Sequence, residues 1–491
     1  MIKFCWFALF LCFCSAQAWG QVQLEKVRNK KYKTEEDVTL QGSTGYMVVP
    51  ENRQDPNSRS IRVKYVHLKS IAKEPLAPVV YIEGGGGYST WQVESPFDLT
   101  FWLEILEVSD LIFIDRRGST DDDLSYLSQE GVPNDFFLSE EKANAHFQRM
   151  AKAALPAFEK KGIDLRGYTI TEQAQDVHDL MNALQIERYS LFGFSFGTQI
   201  SMALMKMHPE HIDRVILAGA DGLDQALNYP RGLDQHMQKI SELIAQDSVM
   251  GAQMPDFLGE VEKAMATLAK EPARVTVKNP LTRKDQELQV GPFGLALVLR
   301  LDIDDANDIP IMPRLLHTIN TGEYALLQWF IQKRMIQAIG IPGQGINQQL
   351  ATGASAQRWS TILEQAQESP YGNVVNFPFS ALYDHWLENE LPINTQKGLQ
   401  TEIPALFITG MLDCRTSVEQ VEGIRRSFSQ SAHVRVKGAG HEQAMWEEEA
   451  FDQYIPAFLQ GKPLEDAETL YGPTTFIPLE GPSDRHPALR K

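Results

Sequence analysis

Cysteine is scarce in this chain of 491 residues, and most of it sits at one end. Of four cysteines, Cys5, Cys12 and Cys14 fall in the opening segment and only Cys414 lies beyond it. That segment reads as a secretory leader, residues 1–18: Lys3 supplies the positive start, Phe4 to Cys14 is almost wholly apolar, and Ala16-Gln17-Ala18 is a small-x-small cleavage site. Small residues before an acceptor cysteine, which lipid attachment needs, are missing, since Cys12 follows Leu11 and Cys14 follows Phe13. Removing the leader leaves one thiol, so the mature monomer is expected to lack an internal disulfide even where one could form, and to draw its stability from its core. A lone thiol gives no metal site. The expected location is secreted, periplasmic or extracellular.

Positive charge is also short. Lys and Arg number 46 against 64 Asp and Glu, a net charge of −18 that repels phosphate backbones and argues against nucleic-acid partners. Long hydrophobic runs are missing too. The leader's apolar run is too short for a comfortable span and no later segment replaces it, so stable membrane insertion is not expected. No internal repeat is visible, and the one low-complexity feature is Gly84–Gly87. Apolar content of 43% and charged content of 22% are ordinary for a globular protein. The length suits one large domain with a substantial insertion, or two domains.

What is present is an alternation. Strand-like runs at Tyr46–Val49 and Ile61–Leu68 are followed by Val79–Glu83, Leu111–Asp115, Tyr189–Phe194 and Arg214–Ala218. Helical patterns fall between them, around Phe97–Val108, over Ser139–Lys161, in a helix ending at Leu184 and over Phe196–Met207. Thr171, or Thr169 in a capping box with Glu172, would start the helix ending at Leu184. Short apolar strands alternating with helices predict a mostly parallel sheet covered on both faces. From about Ala226 to Gly398 the rhythm changes to helical patterns such as Leu233–Ala245 and Phe257–Leu268. It then resumes with a strand Pro404–Gly410, a helix Val418–Ser427, a strand His433–Lys437 and a helix Glu447–Leu459. The expected organisation is a core in two parts, 19–225 and 399–461, a mainly helical cap inserted at 226–398, and a Pro- and Gly-rich surface tail, 462–491.

Gly193-Phe194-Ser195-Phe196-Gly197 fits G-x-S-x-G between a strand and a helix, the context that motif requires. A serine on that sharp turn projects its hydroxyl above the sheet, and the amide of Phe196 points at a developing oxyanion. The hydroxyl needs a base. His441, in Gly438-Ala439-Gly440-His441 after the last predicted strand, stands last in the order Ser, acid, His that the α/β-hydrolase fold uses. The competing histidines are His178, His208, His211 and His433. The acid is Asp413, after the strand before that of His441, with Asp221 as rival after the strand ending near Ala220. A second oxyanion donor is expected from the glycine loop, with Gly85 as candidate, the other reading being a flexible loop. The charges of Asp115-Arg116-Arg117-Gly118-Ser119 either brace that loop or bind substrate.

With these motifs in place the chain resembles the proline iminopeptidase and tripeptidyl aminopeptidase family of serine exopeptidases, which have the α/β-hydrolase fold. Glu83–Gly87 resembles its glycine loop, Asp115–Ser119 its Asp-Gln-Arg-Gly-Thr, and Gly193–Gly197 its nucleophile turn. Gly162-Ile163-Asp164-Leu165, Tyr168-Thr169 and Asp176 resemble the stretch before that turn, Asp413–Thr416 the acid motif, and Gly440-His441 the terminal Gly-His. The likeness runs over Val79–Gly222 and Ile403–Leu459 and fades across the cap. Glu83, Gly86 and Ser417 depart from the pattern without removing a catalytic group. The resemblance implies a cofactor-free aminopeptidase with Ser195, Asp413 and His441 as triad and a peptide with a free N-terminus as substrate. The ammonium would need acidic groups, and Asp302, Asp304, Asp305 and Asp308 in the cap are candidates, although a charge run is usually a solvated face. A carboxylesterase with the same triad is the alternative, and a non-catalytic binding protein on this scaffold a remote one.

Overall fold

The computed structural model describes residues 22–85, 88–119, 124–128, 131–302, 305–387 and 398–489, so the leader lies outside the described residues. Its frame is a sheet of ten strands. In chain order the strands are β1 (Gln23–Lys33), β2 (Thr39–Pro50), β3 (Ser60–Leu68), β4 (Leu76–Ile82), β5 (Ser109–Ile114), β6 (Ser125–Leu127), β7 (Tyr189–Phe194), β8 (Ile212–Ala218), β9 (Ala273–Lys278), β10 (Asp285–Val290), β11 (Gly340–Pro342), β12 (Ala405–Gly410), β13 (Ser431–Lys437) and β14 (Ala467–Leu470). The large sheet runs β1-β2-β3-β5-β4-β7-β8-β12-β13-β14. Pairs from β1 to β5 through β2 and β3 are antiparallel, and every pair from β5 through β4 to β14 is parallel.

The central strands bury both faces. In β4, Val79 and Tyr81 point to one side with Trp102, Leu111, Phe113 and Phe451, while Val80 and Ile82 point to the other with Ile112, Ile114, Val177, Leu180 and Ile200. That two-sided burial is why these strands are continuous apolar runs. Side chains at the helix starts cap them: the Ser139 hydroxyl accepts from Lys142 N and that of Thr169 from Glu172 N, so the helix Ile170–Ala183 begins at Thr169 rather than Thr171. The capping box is only half made. The Glu172 carboxylate instead accepts from the backbone N and the guanidinium of Arg53.

Several sequence expectations change shape. The helix expected at Phe97–Val108 is two short ones, Pro96–Phe101 and Leu103–Leu106, broken at Trp102, whose indole is fully buried. The helix expected at Glu447–Leu459 is also divided. The Glu447 carboxylate caps Glu449 N and Ala450 N, a π-helical turn follows at Ala450–Tyr454, and Pro456 sits in the first turn of Ile455–Leu459. The cap region contains a hairpin, β9 with β10, and β11 pairs with β6. The hydrophobic cluster of that region also takes in Phe136, Phe147, Met150 and Phe158, from a stretch that the sequence rhythm assigns to the core. The segment after Gly461 is not confined to the surface. It adds β14 to the sheet, buries Phe476 and Ile477, and joins the cap through Ile477 N to Pro310 O. Its apolar pairs are too short to register as a pattern among prolines and glycines. Among the described residues no helix is long and apolar enough to cross a membrane.

Candidate active site

The strand ends of β4, β7, β8, β12 and β13 present their loops at one edge of the sheet, and the sequence candidates gather there. Ser195 follows β7 directly and opens the helix Phe196–Met207. Its backbone holds φ 51° and ψ −125°, a left-handed conformation for a residue with a Cβ that costs on the order of 1–3 kcal/mol. Surrounding bonds fix it there: Ser195 N donates to Ala218 O at 2.9 Å, and Thr198 Oγ1 donates to Ser195 O at 2.6 Å. The turn is tight against its neighbours. A Cβ on Gly197 would lie 2.0 Å from Ile82 O, and one on Gly84 would lie 2.6 Å from the Ser195 Cβ, so both positions require glycine.

His441 Nε2 lies 2.9 Å from Ser195 Oγ, and His441 Nδ1 lies 2.7 Å from Asp413 Oδ2. The imidazole is 3% exposed, so this relay is shielded from water. Asp413 is held by more than its histidine. Its Oδ1 accepts from Arg415 N at 2.8 Å and Thr416 N at 2.9 Å, and its Oδ2 accepts from Thr416 Oγ1 at 2.5 Å. Burial alone would raise this carboxyl, but the neighbouring His441 charge, its hydrogen bond and the Thr416 donors outweigh burial and hold it well below the usual carboxylate range. A charged Asp413 fixes the tautomer that leaves Nε2 free to take a proton from Ser195.

The rival acid sits close by but makes no such bond. Asp221, in the loop after β8, accepts Gln420 Nε2 on Oδ1 at 2.7 Å and is within electrostatic reach of His441. Protein surrounds the carboxyl while part of the residue remains open to solvent. Burial pushes it up to about 7, with the His441 charge only partly opposing. The other histidines are elsewhere. His178 stacks on His208 at 3.7 Å beside His211, and His433 is bound to Glu422 and Thr409.

Of the glycine loop, Gly86 and Gly87 lie outside the described residues. Gly84 N donates to Glu83 Oε1 at 2.9 Å, and Gly85, the loop's candidate oxyanion donor, has φ +34°. Asp115 does brace the segment after this loop, accepting from Thr90 N at 2.8 Å and Thr90 Oγ1 at 2.9 Å. Arg117 braces a different region, through Asp176 and the carbonyls of Glu51 and Gly167. Arg116 lies over the Phe196 ring at 4.7 Å. In the acidic run of the cap, Asp308 is bound by Lys333 at 2.7 Å and His486 at 3.1 Å, and Asp305 accepts from Gln443 Nε2 at 2.8 Å. Asp302 ends the helix Pro292–Asp302, while Asp304 lies outside the described residues.

Sequence reasoning missed the part of Thr416 in orienting the acid. Its signal was available, since an Asp followed two and three residues later by free backbone amides is the pattern of a local side-chain turn. It also missed Gln420 and Gln348, for which a single sequence carries no sign.

The signature of the alpha/beta hydrolase fold matches residues 154–448, more than half of the chain and inclusive of Ser195, Asp413 and His441. The chain belongs to that family. Over 61 residues this chain is 33% identical to uncharacterized proteins of Mycobacterium tuberculosis and Mycobacterium bovis, a match covering 12% of the chain and 18% of each relative. Among solved structures it is similar to a thermophilic esterase from Thermogutta terrifontis, at 15% identity over 88% of this chain and 98% of that one, with a TM-score of 0.35. It is also similar to a laboratory-evolved variant of potato epoxide hydrolase, at 14% identity over 89% of this chain and 100% of that one, with a TM-score of 0.37. Likeness at this level carries nothing about substrate.

Proposed function

We propose that this hydrolase cleaves carboxylic esters or amides through a covalent acyl-enzyme on Ser195. The observation that carries the reading is the relay from Ser195 Oγ to His441 Nε2 at 2.9 Å and from His441 Nδ1 to Asp413 at 2.7 Å. Ser195 Oγ attacks the carbonyl carbon as His441 Nε2 takes its proton, and Asp413 stabilises the imidazolium that results. The amides of Phe196 and Gly85 meet the oxyanion, aided by the positive end of the helix Phe196–Met207. His441 then gives its proton to the departing oxygen or nitrogen. A water, deprotonated by His441, releases the acyl group and restores the serine.

Within that class we favour an exopeptidase acting at free N-termini, on the strength of the motif likeness to the proline iminopeptidase and tripeptidyl aminopeptidase family. The esterase reading is supported by the cap acids: Asp308 is already bound by Lys333 and His486, and Asp305 by Gln443. We further propose that residues 1–18 direct export and that the mature chain works outside the cytoplasm.

A fluorophosphonate probe should label the wild type at Ser195, and Ser195→Ala should abolish labelling and lower kcat by roughly 10⁴-fold or more without unfolding the chain. Labelling of another serine would remove the proposal. Matched free and N-acetylated aminoacyl nitroanilides decide the finer question. An exopeptidase should lose at least ~100-fold in kcat/KM on acetylation, because the carboxylates that meet the ammonium are left without a partner. Equal turnover of the two would leave an esterase or general amidase.

A further inference from the structure

Arg116 and Arg117 are adjacent, both are buried, and they are treated in opposite ways. Arg117 has every edge of its guanidinium engaged. Its Nε and Nη2 bind the two oxygens of Asp176 at 2.8 and 3.0 Å, and its Nη1 donates to the carbonyls of Glu51 and Gly167. Arg116 is 4% exposed, yet among the described residues only Nη1 has a hydrogen-bond partner, Gln348 Oε1 at 3.0 Å on the cap helix Gly343–Thr352. Among the described residues its Nε and Nη2 have no acceptor, and Nε2 of Gln348 has none either.

The pattern of the vacancy is informative. Nε–H and Nη2–H run parallel along one edge of the guanidinium, the edge that takes a carboxylate with one oxygen on each nitrogen. This chain uses that edge in the same way elsewhere. Arg59 binds Glu51 through it at 2.9 and 2.5 Å, and Arg166 binds Asp164 at 2.8 and 3.0 Å. Arg116 offers the same fork with no carboxylate on it among the described residues. Glu83 is the acid that faces it, but the Glu83 oxygens accept from Gly84 N, Tyr81 Oη and Gln92 Nε2. Burial draws the Arg116 pKa down to about 10, partly opposed by Glu83, so the group remains a cation at neutral pH. Its place is also defined. The guanidinium lies 4.7 Å from the centre of the Phe196 ring, on the residue directly after the acyl-bearing serine.

We infer that the Nε–Nη2 edge of Arg116 is a subsite for a carboxylate on the acyl part of the substrate. The inference rests on the reading of Ser195 as nucleophile. The preferred acyl groups then end in a carboxylate: an acidic residue at the cleaved end of a peptide, or the half-ester of a dicarboxylic acid.

The test compares p-nitrophenyl glutarate half-ester with p-nitrophenyl valerate, which has the same chain length and no charge, and glutamyl with glutaminyl nitroanilide for the amide case. The wild type should favour the acidic member of at least one pair by roughly 10-fold or more in kcat/KM. Arg116→Gln should erase that preference mainly through KM, and Arg116→Lys, which keeps the charge but not the fork, should restore only part of it. No preference in either pair, or a loss in Arg116→Gln that is equal for acidic and neutral substrates, would overturn the subsite. The second result is what a simple latch between core and cap would give. Fluorophosphonate labelling of the wild type keeps the two readings apart. Labelled Ser195 without acidic preference removes the subsite alone, whereas an unlabelled Ser195 removes the nucleophile beneath it.

Discussion

Two loops, after β8 and after β12, each bring an aspartate to the same imidazole, and the two carboxyls end in opposite states. Asp413 receives four donors, from Arg415 N, Thr416 N, Thr416 Oγ1 and His441, and stays charged despite full burial. Asp221 receives the side-chain amide of Gln420, and burial carries it up to about 7. Proximity to the histidine is common to both. The number of N–H and O–H groups aimed at the carboxylate separates them, and three of the four on Asp413 come from Arg415 and Thr416 just after it.

The sharpest way to break this contrast is to neutralise each acid in turn. Asp413→Asn should lower kcat by about 10³–10⁴-fold, since the amide holds the wrong imidazole tautomer and leaves its cation unpaired. Asp221→Asn should cost less than about 10-fold in the same assay, and the reverse ranking would transfer the acid's role to the β8 loop. A subtler change keeps the acid and removes one donor. Thr416→Val should lower kcat by roughly 10-fold, within the worth of a hydrogen bond to a charged group, and Thr416→Ser should recover most of it. An unchanged Thr416→Val would mean that the backbone donors suffice.

The smallest effect concerns stability. The folded pKa of Asp221 is raised from its ordinary value of 3.8 to about 7, so its contribution to stability is complete below pH 4 and is lost as pH rises through 7. Asp221→Asn should therefore melt higher than wild type at pH 8, with the gap closing toward pH 4 in thermal scans. A gap independent of pH would show that Asp221 does not titrate in this range.

Much of the parallel sheet was legible because strands buried on both faces leave unbroken apolar runs, as in Leu111–Ile114 and Ala405–Ile408. The edge strand β1 was not, since Gln23–Lys33 is charged and mostly exposed, and charge suits an edge that must not pair with another chain. The alternation of β9, with Ala273, Val275 and Val277 buried, is a strand signal that the helical surroundings concealed. At the site, Ser195 and His441 stood in local motifs, and Asp413 followed from their order. Arg116 was noted only as one charge in a charged turn. Its meeting with Gln348 spans 232 residues and leaves no local trace.

The strap formed by residues 467–489 bears on the order of assembly. His486 reaches back 178 residues to Asp308, and Ile477 N to Pro310 O, so the cap region is fastened by a segment made after everything it fastens. On the ribosome this fastening must therefore wait until residues 477–486 have emerged, well after the cap itself has been made. Closing so long a loop is entropically slow, and the interval leaves apolar surface exposed to proteases and chaperones.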